Sequence, residues 1–112
     1  MCLCFCQEYL KSDDFSMRHN IGMIKHYNIR ILGDVQGVSF RYYGKQTADK
    51  LGLFGFIRNE PDGSVYIETE GRESRLKQYI NWCKVGPPLA RITGLKAQAS
   101  KIFGFKNFEI RY

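Results

Sequence analysis

From Met23 onward, apolar and polar positions fall into short, clearly bounded patterns. The run "MIKHYNIRILG" sets Tyr27, Ile29 and Ile31 against Asn28 and Arg30, the period of two that marks a half-buried strand, and Gly33 ends it. "YYGKQTADKLGL" then carries Tyr43, Thr47, Ala48 and Leu51 at helical spacing, with Gly52 as a stop. "LFGFIRNEPDGSVYIETEG" predicts a hairpin turning at "EPDG", whose return strand alternates Val65, Ile67 and Thr69 with Tyr66, Glu68 and Glu70. In "RESRLKQYINWCKVG", Leu76, Tyr79, Ile80 and Cys83 form the apolar stripe of a second helix, closed by Gly86. "ARITGLKAQ" and "FKNFEIRY" are expected to be strands, the latter alternating Phe108, Ile110 and Tyr112.

The order strand, helix, strand, strand, helix, strand, with a short terminal strand, predicts the α+β class. The expected architecture is a ferredoxin-like βαββαβ sandwich, an antiparallel sheet with two helices on one face. Its other face is expected to be open to solvent or to a partner. Residues 1–22 keep no strict period and read as an amino-terminal extension, either disordered or a product of start-site choice, since Met17 and Met23 would also serve as starts. The domain is then 23–112.

A chain of 112 residues suits one domain, since domains cluster at roughly 100 to 150 residues. Its 44% apolar and 25% charged residues are ordinary for a globular protein, and no apolar run approaches the roughly 20 residues of a bilayer span. A net charge of +6 favours an anionic partner without choosing among nucleic acid, membrane surface and a small phosphorylated substrate. Cys2, Cys4 and Cys6 alternate in "CLCFC", unlike the two-residue gaps of zinc knuckles, and nothing in the spacing recommends His19 or His26 as a further ligand. The four cysteines are therefore expected to be reduced thiols, with no metal. The opening segment fits a signal peptide badly, because "SDD" follows where a cleavage site should stand, so a cytoplasmic location is expected.

Candidate chemistry concentrates in "GDVQGVSFR", Gly33 to Arg41. A glycine-bearing loop between strand and helix turns backbone N–H groups inward, and the helix start leaves further N–H groups unpaired, together a site for a tetrahedral anion. Arg41 at the start of the helix can present a forked guanidinium to two phosphate oxygens. The Asp34 carboxylate would repel such an anion and is expected to face outward. The loop matches neither common nucleotide signature, lacking both the G-K-[ST] lysine and a third glycine. On loop logic alone, a phosphate cradle and a plain strand-to-helix connection both stand.

"GDVQGVSFR" together with "LGLFGFIRNEPDGSVYIETEG" closely resembles the acylphosphatase family, whose members carry a G-x-V-Q-G-V-x-F-R loop and a G-[aromatic]-[small apolar]-[basic]-N-x-x-x-G-x-V segment. The match continues through Leu76, Trp82, "GPPLA" at Gly86 to Ala90 and the closing "FEIRY", so it covers residues 24 to 112. Ile57 is bulkier than the residue usual at its position, and Asp34 stands where a basic or neutral residue is more familiar. The resemblance implies metal-independent hydrolysis of the carboxyl-phosphate bond of acyl phosphates to a carboxylate and inorganic phosphate, without a cofactor. It further implies that Asp34, Val35, Gln36, Gly37, Val38, Ser39, Phe40 and Arg41 bind the phosphate, and that Asn59 holds the attacking water. Arg41 and Asn59 are thus the expected catalytic residues, and a monomer acting on a small molecule is the expected form, with no nucleic acid or membrane as partner.

Elementary chemistry is compatible with so sparse a set. A carboxylate leaving group, with a pKa of roughly 4, departs without a proton from a general acid, which leaves positioning and charge stabilisation as the tasks. Two rivals remain distinguishable. "FGFI", Phe54 to Ile57, fits the centre of an RNA-recognition strand signature, but Gly52, Leu53 and Asn59 break its flanks and the run falls one strand too early. A non-catalytic anion sensor would keep the loop and lose the turnover, with Asp34 as its support in the sequence.

Overall fold

The computed structural model describes residues 23–112. Expectations for the extension and for Cys2, Cys4, Cys6 and His19 lie outside the described residues. Strand β1, Ile24–Asp34, is followed by helix α1, Phe40–Leu51, then by the hairpin β2, Phe54–Asn59, and β3, Val65–Arg72. Helix α2, Glu73–Val85, leads into β4, Arg91–Ser100, and β5, Phe108–Arg111. The five strands form one sheet in the order β4-β1-β3-β2-β5. The β4·β1, β1·β3 and β3·β2 pairs are antiparallel, and the sheet departs from the expected pattern only at its edge, where β5 lies parallel to β2.

Alternation in the strands does what it implies. Tyr27, Ile29 and Ile31 of β1, Ile57 of β2, Val65 and Ile67 of β3 and Phe108 of β5 are buried against Phe40 and Ala48 of α1 and Leu76, Tyr79, Ile80 and Cys83 of α2. Each fully buried Ile or Leu in this layer removes apolar surface worth about 1.5–3 kcal/mol, so the sheet-to-helix layer holds the fold. The helices touch each other closely: the Tyr79 hydroxyl donates to the Gly44 carbonyl at 3.1 Å, and Tyr79 and Phe40 both pack on the Trp82 ring. Burial pushes the Tyr79 phenol well above its ordinary pKa, so it serves as a neutral donor.

The second face of the sheet is not simply open. Residues 101–107, between β4 and β5, cross part of it and bring Phe105 against His26 and Phe56, with ring centroids 5.9 and 5.8 Å apart. The reason is Glu70, whose alternation on β3 suggests a solvated residue but whose side chain is only 4% exposed. Its carboxylate accepts from His26 Nδ1 at 2.7 Å, from the Phe103 N–H, and from the Gly104 and Phe105 N–H groups, each at 3.0 Å to Oε1. Three consecutive N–H groups thus form an internal anion nest.

Burial alone would raise the Glu70 pKa. The hydrogen bonds from His26, Phe103, Phe105 and Gly104 outweigh it and hold the carboxyl below its ordinary 4.5. A folded-state pKa below the unfolded one contributes stability that is complete above that ordinary value and is lost as pH falls through the lowered one. Glu70→Gln should therefore destabilise the protein at pH 7 by about 1–3 kcal/mol, by setting an amide against N–H donors. Urea unfolding at a series of pH values should show the gap between wild type and variant narrowing below pH 4.5; a gap constant down to pH 3 would remove the ionised nest as its source.

Candidate active site

The connection from β1 to α1 departs from ordinary backbone geometry at three places. Gly33 has φ +129°, and a Cβ there would stand 2.0 Å from the Arg91 carbonyl oxygen, because β4 runs against it where the β1·β4 register shifts. Gly37 has φ +77° with open space where a side chain would be. Ser39, with φ 62° and ψ 27°, occupies the left-handed region despite its Cβ, a conformation that costs about 1–2 kcal/mol and must be held by its surroundings. Buried neighbours supply that hold, since Val35 and Phe40 on either side are each only 1% exposed.

Ser39 stands at the N-cap of α1, yet its side chain makes no capping bond, and no acidic residue lies in the first turn. The leading N–H groups of the helix therefore stay available to an outside acceptor, with the positive end of the helix dipole behind them. Above them is a pocket of about 400 Å³ lined from this segment by Val35, Gly37, Ser39, Phe40 and Arg41, and from the end of β2 by Asn59.

Among the described residues, no carboxylate pairs with Arg41. Its guanidinium carbon lies 4.7 Å from the centre of the Tyr112 ring, a contact that covers one face of the guanidinium and leaves its N–H edge available. The Asn59 side chain likewise has no hydrogen-bond partner among the described residues, and its backbone pairs with Val65. The lining contains no histidine, cysteine, aspartate or glutamate. Among the described residues, no group of three or more His, Cys, Asp or Glu could hold a metal ion. A hollow of about 490 Å³ at the far end of α1 is larger, but its Lys45 is already paired with Asp49 at 2.7 Å.

The structure brings Arg41, at the start of α1, and Asn59, eighteen residues further along at the end of β2, into one pocket. Of the other loop residues singled out from the sequence, Asp34 is exposed and lies outside the lining, Val38 packs against the core, and Gln36 sends its side chain to the β2–β3 turn. Tyr42, Ile110 and Tyr112 line the pocket without having been anticipated. For Ile110 the signal was the alternation of "FEIRY", whose inward position β5 carries beside β2, while Tyr112 lies exposed just beyond the strand.

A sequence model of the acylphosphatase family matches residues 27–110. The chain belongs to the acylphosphatase family. The acylphosphatase of Archaeoglobus fulgidus is 40% identical over 84 residues, which are 75% of this chain and 94% of that protein. That of Bacillus licheniformis is 42% identical over 87 residues, 77% of this chain and 97% of its own. The crystal structure of acylphosphatase from Bacillus subtilis superposes with a TM-score of 0.77 at 37% identity, covering 80% of this chain and all of that one. The matched residues include both the loop and the hairpin that meet at the pocket.

Two glycines of the loop should behave differently on substitution. Gly37→Ala meets open space and should cost only the strain of a side chain at positive φ, about 1–2 kcal/mol. Gly33→Ala drives a Cβ into the Arg91 backbone and should cost more, with loss of the β1·β4 edge. Chemical denaturation of the two variants side by side checks the order; equal losses would refute it.

Proposed function

We propose that this member of the acylphosphatase family hydrolyses the carboxyl-phosphate bond of acyl phosphates in the pocket between the 33–41 loop and the end of β2. The observation that carries the reading is the meeting, in one pocket, of an unpaired arginine, an uncapped helix N-terminus and an unpartnered asparagine amide. Arg41 and the backbone N–H groups of residues 34–41 hold the phosphoryl oxygens, and a phosphate or similar anion is the ligand of the loop. Asp34 contributes through its backbone, with its exposed carboxylate directed away from the phosphate. Asn59 accepts a hydrogen bond from the attacking water with its carbonyl and donates to a phosphoryl oxygen with its amide.

Water then attacks phosphorus and the bond to the acyl oxygen breaks, giving a carboxylate and inorganic phosphate. The leaving oxygen carries its charge away as a carboxylate, so no proton donor is required, and a phosphate oxygen takes the water's proton. Charge spreading over the phosphoryl oxygens in the transition state is met by the guanidinium and by N–H dipoles already fixed in direction. One chain supplies both Arg41 and Asn59, which supports a monomer as the active form. Among the described residues, no helix is long and apolar enough to cross a membrane. A cytoplasmic location is part of the same proposal, and the free thiol of buried Cys83 is compatible with it.

Purified protein should hydrolyse benzoyl phosphate in the presence of a chelator, with inorganic phosphate as a competitive inhibitor. Arg41→Ala should weaken phosphate binding and Asn59→Ala should lower kcat, each by roughly 10²-fold. Phosphate binding without turnover in the wild type would favour an anion sensor, and near-normal kcat in Asn59→Ala would remove the water-orienting role. We also propose that 23–112 is the complete catalytic unit: removal of residues 1–22 should leave kcat/KM and the unfolding midpoint within experimental error of the full chain. A truncated chain that fails to fold would refute this.

A further inference from the structure

Gln36 lies in the middle of the loop, but its side chain makes its bonds elsewhere. The amide nitrogen donates to the Glu60 carbonyl at 2.7 Å and to the Ser64 carbonyl at 2.9 Å, which uses both of its protons. Those carbonyls form the neck of the β2–β3 turn: the Glu60 N–H donates to the Ser64 carbonyl at 2.9 Å and the Gly63 N–H to the Glu60 carbonyl at 3.1 Å. Asn59 is the residue immediately before that neck.

A side chain is needed here because the backbone cannot make the connection. Strand β3 lies between β1 and β2, so the loop leaving β1 and the end of β2 are two strand spacings apart, about 10 Å, and share no ladder bond. Among the described residues, Gln36 is the one side chain whose hydrogen bonds join the 33–41 loop to the 59–64 turn. The turn itself is braced independently. The Ser64 N–H and hydroxyl donate to Asp62 Oδ1 at 2.9 and 2.6 Å, Arg30 Nη1 donates to Ser64 Oγ at 2.9 Å, and Arg58 Nε meets Glu60 Oε2 at 2.5 Å. The Gln36 amide thus ties the loop to a turn that is already stiff, at Ser64 and at Glu60, the residue next to Asn59.

We propose that Gln36 is a positioning residue for the hydrolysis: it sets where Asn59 stands relative to the phosphate cradle, and so governs turnover rather than phosphate affinity. The inference rests on the water-orienting role given to Asn59 above. Since its amide protons are both used on the turn, the Gln36 side chain is not a phosphate donor, and only its backbone N–H faces that task.

The test is a double-mutant cycle on benzoyl phosphate hydrolysis with wild type, Gln36→Ala, Asn59→Ala and the double variant, each assayed well below its unfolding midpoint. Inhibition by inorganic phosphate is measured in parallel. Gln36→Ala should lower kcat about 10- to 100-fold, the effect of a misplacement near 1 Å, while the inhibition constant of phosphate changes by less than about threefold. Added to Asn59→Ala, it should lower kcat by less than about threefold further, because both changes remove one function. Gln36→Lys keeps N–H donors toward the two carbonyls and should restore most of the lost kcat, whereas Gln36→Glu sets a carboxylate against them and should not. This pair makes the same comparison if Gln36→Ala does not fold.

Three outcomes would overturn the proposal while leaving the Asn59 role standing. The phosphate constant could rise in step with KM at unchanged kcat, which would make Gln36 a phosphate ligand. The losses could multiply in the double variant, which would make it independent of Asn59. The unfolding midpoint alone could fall, which would make it a structural tie. Near-normal kcat in Asn59→Ala would instead defeat the premise itself.

Discussion

The unpaired backbone N–H groups where the 33–41 loop enters α1 are the constraint on which the site depends. An N–H group that is neither buried in a helix nor capped by a side chain must find an acceptor, and Ser39, which stands in the capping position, does not supply one. The loop reaches this arrangement through two glycines at positive φ, Gly33 and Gly37, and through Ser39 held in the left-handed region, with Gly37 and Ser39 between buried Val35 and Phe40. Local strain is therefore maintained by the core, and the helix start beside the pocket is left without a side-chain cap.

The same device occurs a second time, closed on an internal partner. At 103–105 three successive N–H groups converge on the Glu70 carboxylate, which is buried and also bonded to His26. The contrast explains how one small fold uses backbone donors for two purposes. Where the chain itself brings a carboxylate to the nest, the result is a brace that carries residues 101–107 across the sheet. Where the only charged side chain at the nest is Arg41, the result is a site with positive potential and no internal anion. Acyl phosphate hydrolysis suits the second arrangement, since its leaving group needs no acid and its transition state needs fixed donors.

Much of this was legible because it depends on local pattern. The period of two in β1 and β3, the apolar stripe of α2, the "EPDG" turn and the glycine-bearing loop each state their element within a few residues. Arg41 and Asn59 were legible as a pair only through their two motifs, whose spacing the family resemblance interpreted. Other features were hidden for a common reason. Glu70 reads as a solvated residue by alternation, and only the return of 101–107 over β3 shows why it is buried. Gln36 reads as part of a phosphate loop, and its actual partners are carbonyls more than twenty residues away. The parallel edge pairing of β5 and the closure of the pocket by Ile110 and Tyr112 depend on the same return of the chain.

What the amino-acid sequence determined by itself was the identity and order of the elements, the faces that the first strands and the two helices turn to the core, and the presence of a loop able to expose backbone donors beside an arginine. Hydrophobic period and turn chemistry act over neighbouring residues, so they are readable without any knowledge of distant contacts. The tertiary structure decided which groups are spent and which remain available: that the Gln36 amide is used on the hairpin neck, that Glu70 fills its nest, and that Arg41 and Asn59 line one pocket with no carboxylate or hydrogen-bond partner among the described residues. Hydrogen-bond satisfaction is settled between residues far apart in the chain, and only the packed sheet, with β3 interposed between β1 and β2, fixes those distances.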